Sequence, residues 1–386
     1  ILIKIIAIGV SIYGVLKLNN RALLFLPVYV ILFDVIYGFY QTGSGLGTIR
    51  NLTLFIYIIS LILFKKNMLF HNKWLTIFLL YTLLLIPLSS DIENSTINYI
   101  CVFVSFMCLP AGFYFIRNVK DLHIINISMI ILAVIFVINS LLSSVFGLGI
   151  DYYGGGIKLG GFVASKLFSP ALYIVLLPVI VPLLGKRMRI LALLIAVLGF
   201  IFLLLSMRRT SVFIPVFGYM LYFLFSKRKV QFIAISAIFI VMMLVLFPFY
   251  QKVLEMQFQA RQETFDNPSL ENEYRYKETL IIYKEVFSSA KSILIGKEIF
   301  NSSGNYYHGL WGERPIHIDY NLILHGAGMI GLILYFLAFY DIIAKFFRYQ
   351  HAVPAEDYFQ ELKNMFKILV MLCLIVSLNG GITQIS

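Results

Sequence analysis

Charge is scarce in this 386-residue sequence: Asp, Glu, Lys and Arg together supply 13% of it. A soluble domain carries about a quarter charged residues. Here 60% of residues are apolar and the mean hydropathy is +0.89, which excludes a soluble globular protein. Cysteine is also scarce. Cys101, Cys108 and Cys373 all lie in apolar runs, which excludes a disulfide framework and a Cys-ligated zinc site. No 20–50-residue repeat is visible, and no pair of matched broken helices suggests an inverted-repeat transporter. The His, Asp and Glu residues show no metal-ligand spacing such as H-x-x-x-H, although Asp319 could sit near a divalent ion. No cleavable signal peptide is read. The sequence starts at Ile1 rather than Met, which leaves room for a preceding segment.

Long apolar runs are abundant. A spanning helix needs roughly 20 mostly apolar residues, and such runs fall at 1–16, 22–40, 49–64, 74–89, 98–116, 123–146, 167–184, 189–206, 210–226, 231–250, 320–340 and 365–383. The expectation is an all-α polytopic membrane protein of about twelve spans. Residues 1–250 form a bundle of about ten helices, 251–318 a large hydrophilic loop, and 319–386 the C-terminal helices. Asp34 lies deep in the second run, beside Tyr37 and Tyr40. An intramembrane acid fits either a functional site or a satisfied structural residue.

The balance of 31 Lys and Arg against 19 Asp and Glu gives a net charge of +12. In a membrane protein this excess usually marks cytoplasmic loops, so no nucleic-acid partner is expected. One alternate set of loops is basic: Lys17 and Arg21; Lys65, Lys66 and Lys73; Arg117 and Lys120; Lys186, Arg187 and Arg189; Lys227, Arg228 and Lys229; Lys345, Arg348, Lys363 and Lys367. That set is read as cytoplasmic. The other set faces outward: Arg50, the acidic stretch Ser90–Ile97, the Gly-rich stretch 147–166, Arg208 with Arg209, and 251–318. This parity puts residue 1 outside.

Segment 251–318 holds nine of the 19 acids and eight bases, and its aromatic content argues against a disordered linker. Within Glu273–Phe287, Tyr276, Leu280, Tyr283 and Phe287 recur at helical spacing, the mark of an amphipathic helix. Such a helix lies on the outer membrane surface or caps a cavity. Ile295–Phe300 reads as the turn after it, with Gly296 structural.

The outward side gathers Arg208, Arg209, Arg275, Arg314, His308, His317 and Asp319. Transfer of a glycan from a lipid pyrophosphate has two needs. Charge growing on the leaving phosphate must be stabilised, which suits the planar fork of Arg. The attacking hydroxyl must lose a proton, which suits His or a carboxylate. Blander readings stand beside each residue. Arg208 and Arg209 could snorkel at the interface. Arg275 could pair with Glu271 or Glu278 one turn away. His317, just before a spanning helix, could be a solvated loop histidine. His325 lies eight residues on, about 12 Å deeper at 1.5 Å per residue, and reads as a polar residue hydrogen-bonded between helices. Gly328 and Gly331 let a neighbouring helix approach. The loop Asp151–Phe162 lacks the G-K-[ST] of a P-loop. It fits either a substrate-contacting loop with Lys158 near phosphate or a plain turn.

In order along the chain, these pieces resemble the O-antigen ligase/polymerase family of bacterial envelope glycosyltransferases. The matching residues are Lys158, Gly161 and Phe162; Arg209-Thr210-Ser211 at an outer helix end; Arg275 and Gly296; and His317 with Tyr320 and with Gly328 and Gly331 eleven and fourteen residues on. The match covers roughly residues 155–340. Two departures bear on acceptor handling: Ile318 stands where the family usually has Asn, Ser or Gln, and Gly326 where it often has an acid.

The resemblance implies a C-type membrane glycosyltransferase in the bacterial inner membrane, with its active site facing the periplasm or cell exterior. Its donor would be an undecaprenyl-pyrophosphate-linked oligosaccharide, with Arg209 and Arg275 binding pyrophosphate and His317 activating the acceptor hydroxyl. The anomeric centre would invert, with no metal, cofactor or nucleotide sugar required. Arg208, Arg314, Lys158 and Asp319 are supporting candidates for substrate binding. The acceptor would be a lipid-linked repeat unit for a polysaccharide polymerase, or lipid A-core for a ligase. A chain-length regulator is a further candidate partner. A transporter or flippase is the reading from a different class.

Overall fold

The computed structural model describes residues 28, 45–64, 71–116, 119–147, 168–180, 184, 186–205, 209–226, 229–259, 274–300, 316–349 and 357–378. All regular structure among them is helical. In chain order the helices are α1 (Gly45–Phe64), α2 (Lys73–Leu85) with a 3-10 turn at Ile86–Leu88, α3 (Ile92–Phe115), α4 (Val119–Phe146), α5 (Phe168–Ile180) and α6 (Lys186–Leu205). They continue with α7 (Arg209–Phe225), α8 (Lys229–Gln259), α9 (Tyr274–Val286), α10 (Ala290–Ile295), α11 (Asp319–Tyr349) and α12 (Asp357–Val376).

Helices follow from the composition: apolar runs in lipid must satisfy their own backbone hydrogen bonds. Ten of the expected spans, from 49–64 onward, coincide with helices. The span 1–16 and, apart from Val28, the span 22–40 with Asp34 lie outside the described residues. Among the described residues three segments are long and apolar enough to cross a membrane: Ile92–Phe113, Lys120–Leu142 and Asp319–Tyr349. Shorter apolar helices occur at Leu52–Leu63, Lys73–Leu88, Met188–Leu204 and Val212–Phe225. Large apolar side chains such as Leu63, Leu84, Ile138 and Leu224 are exposed on these helices. On a soluble protein such faces would be aggregation sites; contact with lipid chains suits them.

Several boundaries differ from the sequence reading: α11 runs to Tyr349, past 340, and α12 starts at Asp357, ahead of 365. The acidic stretch before residue 98 is largely helix, because Asp91 accepts the Asn94 amide at 3.0 Å and starts α3 at Ile92. Helix α8 continues to Gln259, past its Pro248 and into the segment read as loop.

One core cluster joins α4, α5, α6, α7 and α12, around Phe136, Ile174, Leu203 and Leu372. A second joins α1, α2, α3 and α11 around Ile58, Phe78, Met107 and Tyr335. Within it Phe106 packs on Phe78 and Tyr335 at ring separations of 5.9 and 6.0 Å. Each such pair contributes about 0.5–1.5 kcal/mol beyond its buried area, which fixes α11 against α2 and α3.

Helices α2 and α11 run antiparallel. At one end the Asn72 side chain caps α2 by accepting the Leu75 amide at 3.0 Å and donates to the Ala338 carbonyl at 3.0 Å. Lys345 there donates to the His71 carbonyl. Toward the other end, Tyr81 donates to the Ala327 carbonyl at 3.0 Å. Beyond α2, Ser95 and Asn98 donate to the Ile299 and Phe300 carbonyls at 2.8 and 2.7 Å. Lys73 and Lys345, both in the basic set, thus share one end of the pair. The acidic stretch and the 274–300 segment, both in the outward set, share the other.

Candidate functional site

The site is built where α9 lies along the first turns of α11. Ile282 and Val286 of α9 are buried with Ile316, Leu322 and Leu324. Polar contacts flank this seam. Glu278, 0% exposed, accepts the His317 amide at 3.0 Å and the Ile318 amide at 3.1 Å through Oε1. Its Oε2 lies 3.5 Å from His317 Nδ1. Nearby, the Asn321 side chain donates to Thr279 at 2.9 Å. Farther along, His325 Nε2 meets Glu285 Oε2 at 3.2 Å.

A buried carboxylate is costly unless it is paired and hydrogen-bonded. Glu278 meets that condition with two backbone donors just ahead of α11, where helix N-terminal amides attract anions. The same carboxylate stands behind the His317 ring. His317 remains 29% exposed, with Nδ1 on the buried side of the ring that faces Glu278. The Glu278 carboxylate facing Nδ1 helps set the orientation of the ring.

Arg275 occupies the first turn of α9, three residues before Glu278. At 1.5 Å per residue their backbones are about 4.5 Å apart along the axis. The α9–α11 seam therefore brings the Arg275-bearing turn to the His317-bearing helix mouth, across 42 positions of sequence.

A second device holds the segment after α9. Helix α11 breaks at Gly328, whose φ is +64°, a region open to glycine but strained for other residues. Gly296, with φ +81°, ends α10 beside that break. A Cβ on Gly328 would lie 2.4 Å from the Leu294 carbonyl, and one on Gly296 2.6 Å from the His325 carbonyl. The Lys297 amide donates to that same His325 oxygen at 2.6 Å. Glu298 completes the dock by accepting from the Ser90 amide at 2.9 Å and from the Ser89 hydroxyl.

The other candidates fall as follows. Arg209 is the first residue of α7. Asp319 is the first residue of α11 and only 1% exposed, with its amide donating to the Ser377 carbonyl at 3.0 Å. Such burial keeps it from presenting a side chain to solvent. Lys158, Arg208, Arg314 and His308 lie outside the described residues, as do Gly161 and Phe162. Among the described residues no cluster of three or more His, Cys, Asp or Glu side chains could hold a metal ion. A Cβ at Gly326 would press on the Glu298–Ile299 backbone, at 3.2–3.3 Å.

The sequence reading missed Glu278 as the partner of His317 and treated it only as a possible pair for Arg275. The signal was the alternate face of α9. Tyr276, Leu280, Tyr283 and Phe287 are 45–55% exposed, whereas Glu278, Ile282 and Val286 are buried. The face that carries the regular apolar spacing is not the one α9 turns to the protein.

No protein-family model matches the sequence, and neither the curated proteins nor the solved structures yield a significant match.

Proposed function

We propose that this chain is a membrane glycosyltransferase that polymerises a glycan carried on undecaprenyl pyrophosphate, transferring the growing chain to a lipid-linked repeat unit. One observation carries the reading. A partly exposed histidine at a helix mouth is backed by a buried carboxylate, and an arginine-bearing helical turn is brought beside it. A proton acceptor next to an anion-binding side chain is what this transfer needs.

In this reading the acceptor hydroxyl gives its proton to the His317 ring as its oxygen attacks the anomeric carbon of the donor. The bond from that carbon to the pyrophosphate oxygen breaks, and its electron pair leaves with undecaprenyl pyrophosphate. Attack opposite the leaving group inverts the centre. Arg275 and Arg209 neutralise the charge that grows on the pyrophosphate, with Arg208, Arg314 and Lys158 as further phosphate contacts. Glu278 orients His317 and stabilises its imidazolium.

The test is a reaction of the purified protein with a lipid-pyrophosphate-linked repeat unit as sole substrate, resolved on a gel. The expected result is a ladder of products that His317→Ala reduces by roughly 10²–10⁴-fold. Product only after lipid A-core is added would make the protein a ligase. No product with either acceptor from folded protein would end the glycosyltransferase reading and favour a transporter.

A further inference from the structure

Four lysines and three glutamates lie between residues 276 and 300, and the fold separates them by sign. Lys277, Lys284, Lys291 and Lys297 are all exposed. Glu278 is buried, Glu285 is turned to His325, and Glu298 to Ser89 and Ser90. The exposed charged side chains of this segment are therefore all lysines, while Glu285 and Glu298 are partly buried.

The same surface carries the apolar stripe of α9. Tyr276, Leu280, Tyr283 and Phe287 fall within about 60° of one another at 100° per residue. Tyr283 and Phe287 pack edge to face at 6.1 Å, and Leu294 of α10 is exposed as well. Lys277 and Lys284 line one edge of the stripe. Aromatic and leucine side chains bordered by lysine characterise helices lying in a membrane interface, where the apolar face enters the acyl boundary and the lysines meet anionic headgroups.

We infer that α9 is an interfacial helix with two working faces. Its inner face holds Glu278 and Glu285 against α11, and its outer stripe inserts among the anionic phospholipid headgroups of the adjoining leaflet. The bilayer would then set the height of the Arg275 turn. The inference does not depend on the chemistry proposed above.

Nitroxide labels at Leu280→Cys and Phe287→Cys test it, in full-length protein lacking the three native cysteines and held in nanodiscs containing phosphatidylglycerol. Power saturation compares access to oxygen, which enriches in lipid, with access to a water-soluble nickel chelate. The expected result is oxygen-favoured access at both positions. A severalfold fall in the oxygen-to-nickel ratio should follow when Lys277, Lys284 and Lys291 are changed to Glu. Nickel-favoured access would show a stripe in water. Shielding from both reagents would show a stripe covered by protein, such as a second copy of the chain. Either result overturns the inference, and an unchanged ratio after charge reversal overturns its anionic headgroups.

Discussion

Glu278 is the residue on which the site turns, and its two roles can be separated. Its oxygens accept the His317 and Ile318 amides, and its charge faces Nδ1. Glu278→Gln keeps an acceptor oxygen and removes the charge. It should leave the melting temperature nearly unchanged while transfer falls at least about tenfold, as expected for loss of an orienting carboxylate. Glu278→Leu also orphans two buried donors, at about 1–3 kcal/mol each, and should lower the melting temperature clearly. Nitrogen-15 shifts of His317 would report the tautomer directly and should differ between wild type and Glu278→Gln. Gly328→Ala carries a different penalty. A side chain at φ +64° is strained by about 1–3 kcal/mol, and its Cβ meets the Leu294 backbone. The expected outcome is lost hydrogen-exchange protection over residues 292–300, because α10 must lift from α11.

At the scale of elements, the helices were legible because lipid leaves few alternatives: ten apolar runs coincide with helices, although α3, α8, α11 and α12 overrun their read limits by up to nine residues. His317 at the helix mouth and Gly296 in a turn were legible as well, since both depend on local spacing. The partner of His317 was not, because Glu278 lies 39 residues away and meets it only through the α9–α11 seam. Nor was the burial of Asp319, which depends on Ser377 at the end of α12. The regular Tyr and Leu stripe of α9 marked the helix but not the residues of its inner face, for a physical reason. In a membrane protein the most apolar face need not be the inner one, since lipid and interface compete with the core for it. The start of α3 offers a pH test. The Asn94 amide, and then its side chain, hold the Asp91 carboxyl below the usual carboxylate range. A depressed folded value means the cap is complete above the unfolded value and is lost as pH falls through the folded one. Amides 92–96 should therefore exchange faster below roughly pH 4, and Asp91→Asn should flatten that dependence.

At the scale of the whole molecule, the antiparallel α2–α11 pair carries the two sets of loops at its two ends, with Lys73 and Lys345 at one and the Ser89–Ser95 stretch with the 274–300 segment at the other. The basic end should face the cytoplasm. A cysteine at Ser288 should react with an impermeant maleimide in intact cells, and one at Tyr349 only after permeabilisation; the reverse pattern would invert the topology. With that topology, α9 stands over the outer leaflet and the site opens to the compartment where lipid-linked glycans are joined in the proposed reaction. The measurement that bears most directly on this account is a single-turnover transfer rate from a lipid-pyrophosphate donor, taken for wild type, His317→Ala, Glu278→Gln and Arg275→Ala in nanodiscs. The account predicts that all three variants fold and slow the chemical step, His317→Ala the most, by roughly 10²–10⁴-fold. Wild-type rates in folded His317→Ala would contradict it.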